Sequence, residues 1–193
     1  MQYQAVVFDM DGVIFDTERL VIEFWKEVAK KHNIPNVEHT CIQCLGTNRV
    51  RTREIFLENY GADFPFDPYR AEVTELFNTH YKGVPLPTKP GVRELLSYLQ
   101  EQDIKVGLAS STVQHLVRDE IGTAGLLPYF QTLVCGDMVE HSKPAPDIFL
   151  KACEILNADP TKSIAIEDSF NGIRSAHCAG MTPIMVPDQV QPT

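Results

Sequence analysis

From residue 92 onward the sequence alternates helix-patterned with strand-patterned segments, and that alternation restricts the chain to one fold class. Val92, Leu95, Leu96 and Leu99 recur at i, i+3, i+4 and i+7, the spacing of a single helix face. Lys105 to Ala109 then reads as a strand, and Val113, Leu116, Val117 and Ile121 mark the next helix. Thr132 to Cys135 is a third strand, counting Gln4 to Phe8 at the start of the chain as the first. Ile148, Phe149, Ala152, Ile155 and Leu156 form another apolar stripe. Ser163 to Ile166 is a fourth strand, Asn171 to Ala179 a helix, and Thr182 to Val186 a fifth strand. Strands separated by helices of this length run parallel, because each connection must cross over a face of the sheet. The expected fold class is therefore α/β, a doubly wound parallel sheet with helices on both faces.

Between the first strand and this series nothing alternates like a strand. Leu20, Phe24 and Val28 give one helical stripe, and further helical patterns cover Val37 to Leu45, Asn48 to Tyr60 and Pro68 to Tyr81. Phe24, Trp25 and Phe56 read as core of such a bundle. Gly61 suits a helix C-cap, and the three prolines between Gly83 and Gly91 suit a linker. The sequence thus predicts a core domain of residues 1–16 plus 85–193 and an inserted helical-bundle cap domain of residues 17–84. No helix follows the fifth strand before Thr193, where a further element is expected.

In sheets of this kind ligands bind at the carboxyl ends of the strands. The residues found there are all polar: Asp9-Met10-Asp11-Gly12, Ser110-Ser111, then Lys143-Pro144 after the third strand, and Glu167-Asp168-Ser169. A period of two turns Asp9 and Asp11 to the same side, a pair that repels itself without a cation between or a proton on one member. Glu167 and Asp168 are hard oxygen donors suited to a metal ion. The backbone and hydroxyls of Ser110 and Ser111, at a helix start, suit phosphoryl oxygens. Seventeen Lys and Arg face 26 Asp and Glu, a formal net charge of −9. That balance excludes an overall basic field for nucleic acid, so a phosphorylated ligand must be drawn in by local cations or a metal. No apolar stretch is long enough to span a membrane.

These four elements, Asp9-Met10-Asp11-Gly12, Ser110, Lys143-Pro144 and Glu167-Asp168-Ser169 with Asn171-Gly172-Ile173, resemble in order and spacing the phosphotransferases of the haloacid dehalogenase superfamily. The resemblance is strongest to the branch of β-phosphoglucomutases and small sugar-phosphate phosphatases. It implies that Asp9 is the nucleophile that forms an aspartyl phosphate and Asp11 the general acid and base. It also implies Mg²⁺ held by the Asp9 carboxylate, the backbone carbonyl of Asp11, and Asp168, with Glu167 orienting the water shell. Ser110 and Lys143 then bind the transferring phosphoryl group. Leu45-Gly46-Thr47-Asn48-Arg49 resembles the family's cap loop, so Arg49, together with Ser111, is a candidate for substrate contact, whereas Arg51 and Arg53 read as solvated helix charges. The substrate class implied is a small phosphorylated metabolite, the partner of a monomeric enzyme without nucleic acid or membrane.

Two outcomes remain open at this level. The mutase pattern carries a histidine near Val21, which here is aliphatic, and Asp16-Thr17-Glu18 resembles the phosphatase form; both favour hydrolysis over phosphomutase chemistry. A phospho-acceptor signalling module also phosphorylates an Asp in a parallel sheet, but such modules are shorter, uncapped and modified at a later strand. Five scattered cysteines suit a reducing, cytoplasmic setting. His39, Cys41 and Cys44 offer three soft ligands without a visible fourth, and no strand precedes the C-x-x-C, so buried thiols on a helix are expected rather than a metal or redox centre. None of the six histidines has a carboxylate partner that the sequence can place.

Overall fold

The computed structural model describes residues 3–191. Five parallel strands form one sheet: β1 (Ala5–Phe8), β2 (Lys105–Ser110), β3 (Thr132–Cys135), β4 (Ser163–Glu167) and β5 (Thr182–Met185), in spatial order β3-β2-β1-β4-β5. The order reverses at β1, so the switch point of the sheet lies between β1 and its neighbours, where a ligand crevice opens in doubly wound folds. In register, Phe8 stands beside Leu108 on one side and Ile166 on the other.

Because both faces are covered, β1 reads as a continuous apolar run rather than an alternating one. Val6 and Phe8 pack with Val106, Leu108 and Leu133 beneath α5 (Val92–Glu101) and α6 (Gln114–Thr123). Ala5 and Val7 face the opposite way, against α7 (Asp147–Leu156) and α8 (Phe170–Cys178). There Phe149, Ala152 and Leu156 fill the space over β2 and β3, and Gly107 lets α7 press close, since a Cβ at that position would crowd Leu156 and Thr132 at 3.1 Å. Two of the four α6 stripe residues depart from expectation. Val117 and Ile121 are buried, whereas Val113 precedes the helix and, with Leu116, stays exposed on the wall of a cleft.

The four remaining helices, α1 (Thr17–His32), α2 (Val37–Cys44), α3 (Arg49–Tyr60) and α4 (Phe66–Tyr81), form a bundle with its own core. Trp25, Phe56 and Phe66 stack at its centre, with ring centroids 4.5–6.0 Å apart, and Val28 and Val73 close it. Where the bundle leaves and rejoins the sheet, the two connections are tied together. Phe15 bridges Thr88, Asp16 N–H donates to Pro87 C=O at 3.0 Å, and Lys89 N–H donates to Ile14 C=O at 2.8 Å. Each connection's backbone groups are thereby satisfied by the other, which fixes the base of the insertion beside the end of β1.

Candidate active site

The ladder between β1 and β4 continues one residue past Phe8, because Asp9 N–H donates to Ile166 C=O at 2.9 Å. This places the Asp9 carboxylate, 5% exposed, next to Glu167 at the end of β4. Lys143 joins them from the loop after β3. Its Nζ donates to Asp9 Oδ1 at 2.7 Å, to Glu167 Oε1 at 2.6 Å and to Ala109 C=O at 3.1 Å. Three donors meet three acceptors, and the ammonium also lies 5.2 Å over the Phe149 ring. Burial alone would drive Lys143 towards its neutral form, but Asp9 and Glu167 outweigh it and hold the ammonium above its ordinary pKa. Burial pushes Asp9 the other way, up to about 7; Lys143 resists that shift, and Glu167 and Asp11 add to it.

Glu167 is saturated. Its Oε2 accepts from Asp168 N–H at 2.9 Å, Ser169 N–H at 2.8 Å and Ser169 Oγ at 2.9 Å. Ser169 Oγ in turn accepts from Gly172 N–H at 3.0 Å and so caps α8. Any side chain at residue 172 would collide with the Glu167 carboxylate, which is the physical reason for glycine there. Glu167, expected to orient a metal's water shell, makes contacts that anchor Lys143 and the turn that carries Asp168.

Asp168 is the opposite case. It is 1% exposed, and both its oxygens are buried without a hydrogen-bond partner among the described residues. Burial first, then the charges of Asp9 and Glu167, push its pKa to about 9. Two unpaired carboxylate oxygens in such a place are costly unless a cation or a proton meets them. One oxygen each from Asp9, Glu167 and Asp168 lie within 4.8 Å of one another, so the donor set fits a hard divalent ion. Gly12 makes room for the Asp168 carboxylate, having φ +79° and no space for a Cβ against it.

Asp11 stands apart from that cluster. Its Oδ1 accepts from Thr17 Oγ1 at 2.6 Å and its Oδ2 from Thr112 Oγ1 at 3.1 Å, so the side chain is oriented by one residue of the bundle and one of the sheet domain. Ser110 is fully buried, with its Oγ accepting from Thr112 N–H at 3.1 Å. Ser111 does something the sequence did not suggest: its Oγ donates to Gly46 C=O at 3.3 Å, while Asn171 Nδ2 donates to Leu45 C=O at 3.2 Å. The loop before α3 is thus docked on the sheet domain through its backbone. Gly46, at φ +70°, packs where any Cβ would strike Ser169.

Arg49 is exposed, and its Nη2 donates to Asp67 Oδ1 at 2.9 Å; Arg53 takes the other oxygen at 3.3 Å. It borders the cleft without being drawn to Asp9. Arg51 pairs with Glu54 and Glu58, as a solvated helix charge would. Sequence reasoning passed over Thr112 as a partner of Asp11; it named Glu18 only within Asp16-Thr17-Glu18, and it passed over Arg70. Both Glu18 and Arg70 face a cleft of about 1290 Å³ between bundle and sheet that also admits Asp9, Asp11 and Val21. Glu18 sits in the first turn of α1 with Oε2 buried and unpartnered, and burial, reinforced by Asp168 and Asp11, pushes it well above the usual carboxylate range. Its sequence signal was only its place after Asp16-Thr17. His32 and His141 do have carboxylate partners, Glu72 and Asp147, each at 2.9 Å.

Cys41 is buried and Cys44 half-buried, both are free thiols, and burial pushes Cys44 up to about 12 and Cys41 higher. Neither supplies a thiolate at neutral pH. Among the described residues the one cluster of metal-binding type is that of Asp9, Glu167 and Asp168. No helix among them is long and apolar enough to cross a membrane.

Comparison with known proteins agrees with this geometry. The family model described as haloacid dehalogenase-like hydrolase matches residues 6–186. A phosphorylated carbohydrates phosphatase of Thermotoga maritima is 34% identical over 181 residues, covering 94% of this chain and 83% of the relative. A β-phosphoglucomutase of Bacillus subtilis is also 34% identical, over 193 residues, covering 95% of this chain and 83% of the relative. Among solved structures, the β-phosphoglucomutase of Clostridium difficile superposes with a TM-score of 0.81 at 26% identity, covering 96% of this chain and 85% of the other.

Proposed function

The chain belongs to the haloacid dehalogenase-like hydrolases, and from that premise we propose that it is a Mg²⁺-dependent phosphatase of small sugar phosphates that works through an aspartyl phosphate on Asp9. At the coarser level it is a sugar-phosphate phosphatase or phosphomutase of this family. The observation that carries the finer reading is the pairing of Asp9 with Lys143 beside the unsatisfied carboxylate of Asp168, at the end of a cleft large enough for a sugar.

Asp9 Oδ1 is held by Lys143, and Oδ2 takes no hydrogen bond from the described residues, so one oxygen is fixed while the other is left to attack phosphorus. Lys143 and the Ser110 hydroxyl lie where the transferring oxygens gather negative charge, and a preorganised cation there favours the transition state over the ground state. Asp9, Asp168 and the Asp11 backbone would hold Mg²⁺, which when bound neutralises charge on the phosphoryl group. Asp11, gripped on both oxygens, protonates the leaving alcohol in the first step and takes a proton from water in the second. The helical insertion acts as a cap over residues 17–84 that shields this exchange from bulk water.

Hydrolysis is favoured over transfer to a second sugar hydroxyl by Val21. It lines the cleft in the first turns of α1, where an aliphatic side chain can neither move a proton nor hold a hydroxyl. Product analysis by phosphorus NMR with β-glucose 1-phosphate and other small sugar phosphates tests this. Free phosphate is expected to accumulate in the presence of Mg²⁺. An isomeric sugar phosphate appearing faster, and only with a bisphosphate primer, would make the phosphomutase reading the correct one.

A further inference from the structure

We propose that Arg70 is a specificity-determining residue that binds a second anionic group on the substrate, so that the preferred ligands are sugar or polyol phosphates carrying another phosphate or a carboxylate away from the scissile bond. The proposal rests on the phosphatase reading for its reaction and adds to it the substrate class.

Arg19, Arg49, Arg51 and Arg53 are each paired with a carboxylate on the protein surface. Arg70 is not. It is half-buried, and its one side-chain hydrogen bond to the described residues runs from Nη1 to Thr74 Oγ1 at 3.1 Å. Thr74 Oγ1 donates in turn to Arg70 C=O at 2.9 Å, so the threonine is oriented by the same residue that it orients. No carboxylate of the described residues comes within ion-pair distance of the guanidinium. Burial accordingly pulls Arg70 below the ordinary arginine pKa, and the Arg49 charge adds to the effect. A guanidinium remains charged in a folded protein, so this is a desolvated cation without a counter-ion.

Its position gives the vacancy in its pairing a use. Arg70, Thr74 and Asn78 recur every four residues along α4 and all face the cleft that ends at Asp9 and Asp11. The volume of that cleft, about 1290 Å³, exceeds the roughly 300–1,000 Å³ usual for a small-molecule site, so a ligand seated by its phosphoryl group at Asp9 leaves room for a further group towards α4. Arginine's planar fork binds phosphate or carboxylate through two parallel hydrogen bonds. Within a chain of net charge −9, a half-buried guanidinium without a carboxylate partner gives this part of the cleft a positive charge in a field that otherwise repels anions.

The test compares matched substrates on wild type and on Arg70→Met, which keeps the apolar stem. Glucose 1-phosphate is set against glucose 1,6-bisphosphate for a distal phosphate, and glucose 6-phosphate against 6-phosphogluconate for a distal carboxylate. Wild type is expected to favour at least one doubly anionic member by about tenfold or more in kcat/KM. Arg70→Met should lower that ratio by roughly 10–100-fold through KM, and Arg70→Lys should restore part of it. Which pair shows the effect identifies the second group. Calorimetric binding of the same four ligands to Asp9→Asn, with and without Arg70→Met, reads the preference without turnover. If no substrate, including p-nitrophenyl phosphate, is hydrolysed by wild type while the binding preference persists, the phosphatase reading fails and the role of Arg70 stands. Equal affinity for both members of each pair in wild type, or a preference that survives Arg70→Met, overturns the role of Arg70. Wild-type selectivity reads the proposal even if the methionine variant does not fold.

Discussion

Thr17 Oγ1 donates a 2.6 Å hydrogen bond to Asp11 Oδ1, so the first residue of the helical insertion orients a carboxylate that belongs to the loop after β1. The second oxygen is held by Thr112, from the loop after β2. Asp11 is therefore held from both bundle and sheet domain in this arrangement, and in the proposed mechanism that ties the position of the insertion to proton transfer. Replacing Asp11 by Asn is expected to lower kcat by roughly 10²–10⁴-fold, the usual contribution of a positioned acid and base. The loss should be larger for an alkyl phosphate than for p-nitrophenyl phosphate, whose leaving group needs little protonation. Equal losses on the two esters would remove Asp11 from that role. Thr17→Val should show the same ester dependence at smaller amplitude, about tenfold, since a hydrogen bond to a charged group is worth roughly 1.5–3 kcal/mol.

For Asp9→Asn the expectation is abolished turnover with the fold retained. An amide cannot attack phosphorus, yet it matches the carboxylate in shape and still accepts from Lys143. Phosphate release and a thermal melt on the same preparation decide it. Activity within tenfold of wild type would rule out covalent catalysis through this residue.

Gly46→Ala tests whether docking of the loop before α3 matters for catalysis. The residue has φ +70°, and a Cβ would strike Ser169, so alanine forces the loop off the sheet domain and breaks the bonds from Ser111 and Asn171. A displacement of about 1 Å in a closing element can cost about 10²-fold in rate. Such a fall in kcat/KM is expected here. The bundle core lies elsewhere, so the melting temperature should change little. Wild-type kinetics in this variant would show that the docked loop plays no part in turnover.

The strand-end residues were legible because the sheet itself was legible. An apolar run followed at once by Asp9, Ser110 or Glu167 carries its own position on the sheet edge, and the structure gathers Asp9, Glu167 and Asp168 within 4.8 Å of one another, with Lys143 bonded to the first two. What stayed hidden depends on contacts between distant segments. Nothing local distinguishes Arg70, left without a carboxylate, from Arg53, which has one; the difference arises from the packing of α3 and α4, which brings Asp67 to Arg49 and Arg53. Glu167 and Asp168 are neighbours of the same type, and only the turn after β4 and the approach of Lys143 decide that one collects four donors and the other none. The outward face of Leu116 escaped for a similar reason, since helical spacing cannot say that part of an apolar stripe borders a cleft.

The carboxylates also set how stability should depend on pH and metal. Asp168 rises from 3.8 to about 9 and Asp9 to about 7, in each case chiefly through burial. A group whose folded pKa lies above its unfolded value binds more protons when folded, so its favourable contribution is complete below the unfolded pKa and is lost as pH rises through the folded one. For these two groups the metal-free protein should lose stability progressively between about pH 4 and about pH 9. Lys143, raised above its ordinary value by its two carboxylate partners, adds a loss only at still higher pH. The surface pair His141–Asp147 is common to metal-free and metal-bound protein, so the difference between the two removes it. Mg²⁺ competes with the protons on Asp9 and Asp168, and its apparent affinity should therefore increase with pH across the same window. At a concentration about 100 times its dissociation constant it stabilises by about 2.7 kcal/mol, or roughly 5–10 °C in Tm for a chain of this size. Melts with Mg²⁺ and with a chelator, from about pH 5 to about pH 9, should show a gap that widens towards the alkaline end. In Asp168→Asn most of that gap should disappear, and the metal-free variant should melt higher than wild type at alkaline pH because a buried charge has been removed. A gap that is constant with pH, or one that survives Asp168→Asn intact, would place the ion somewhere other than between these carboxylates.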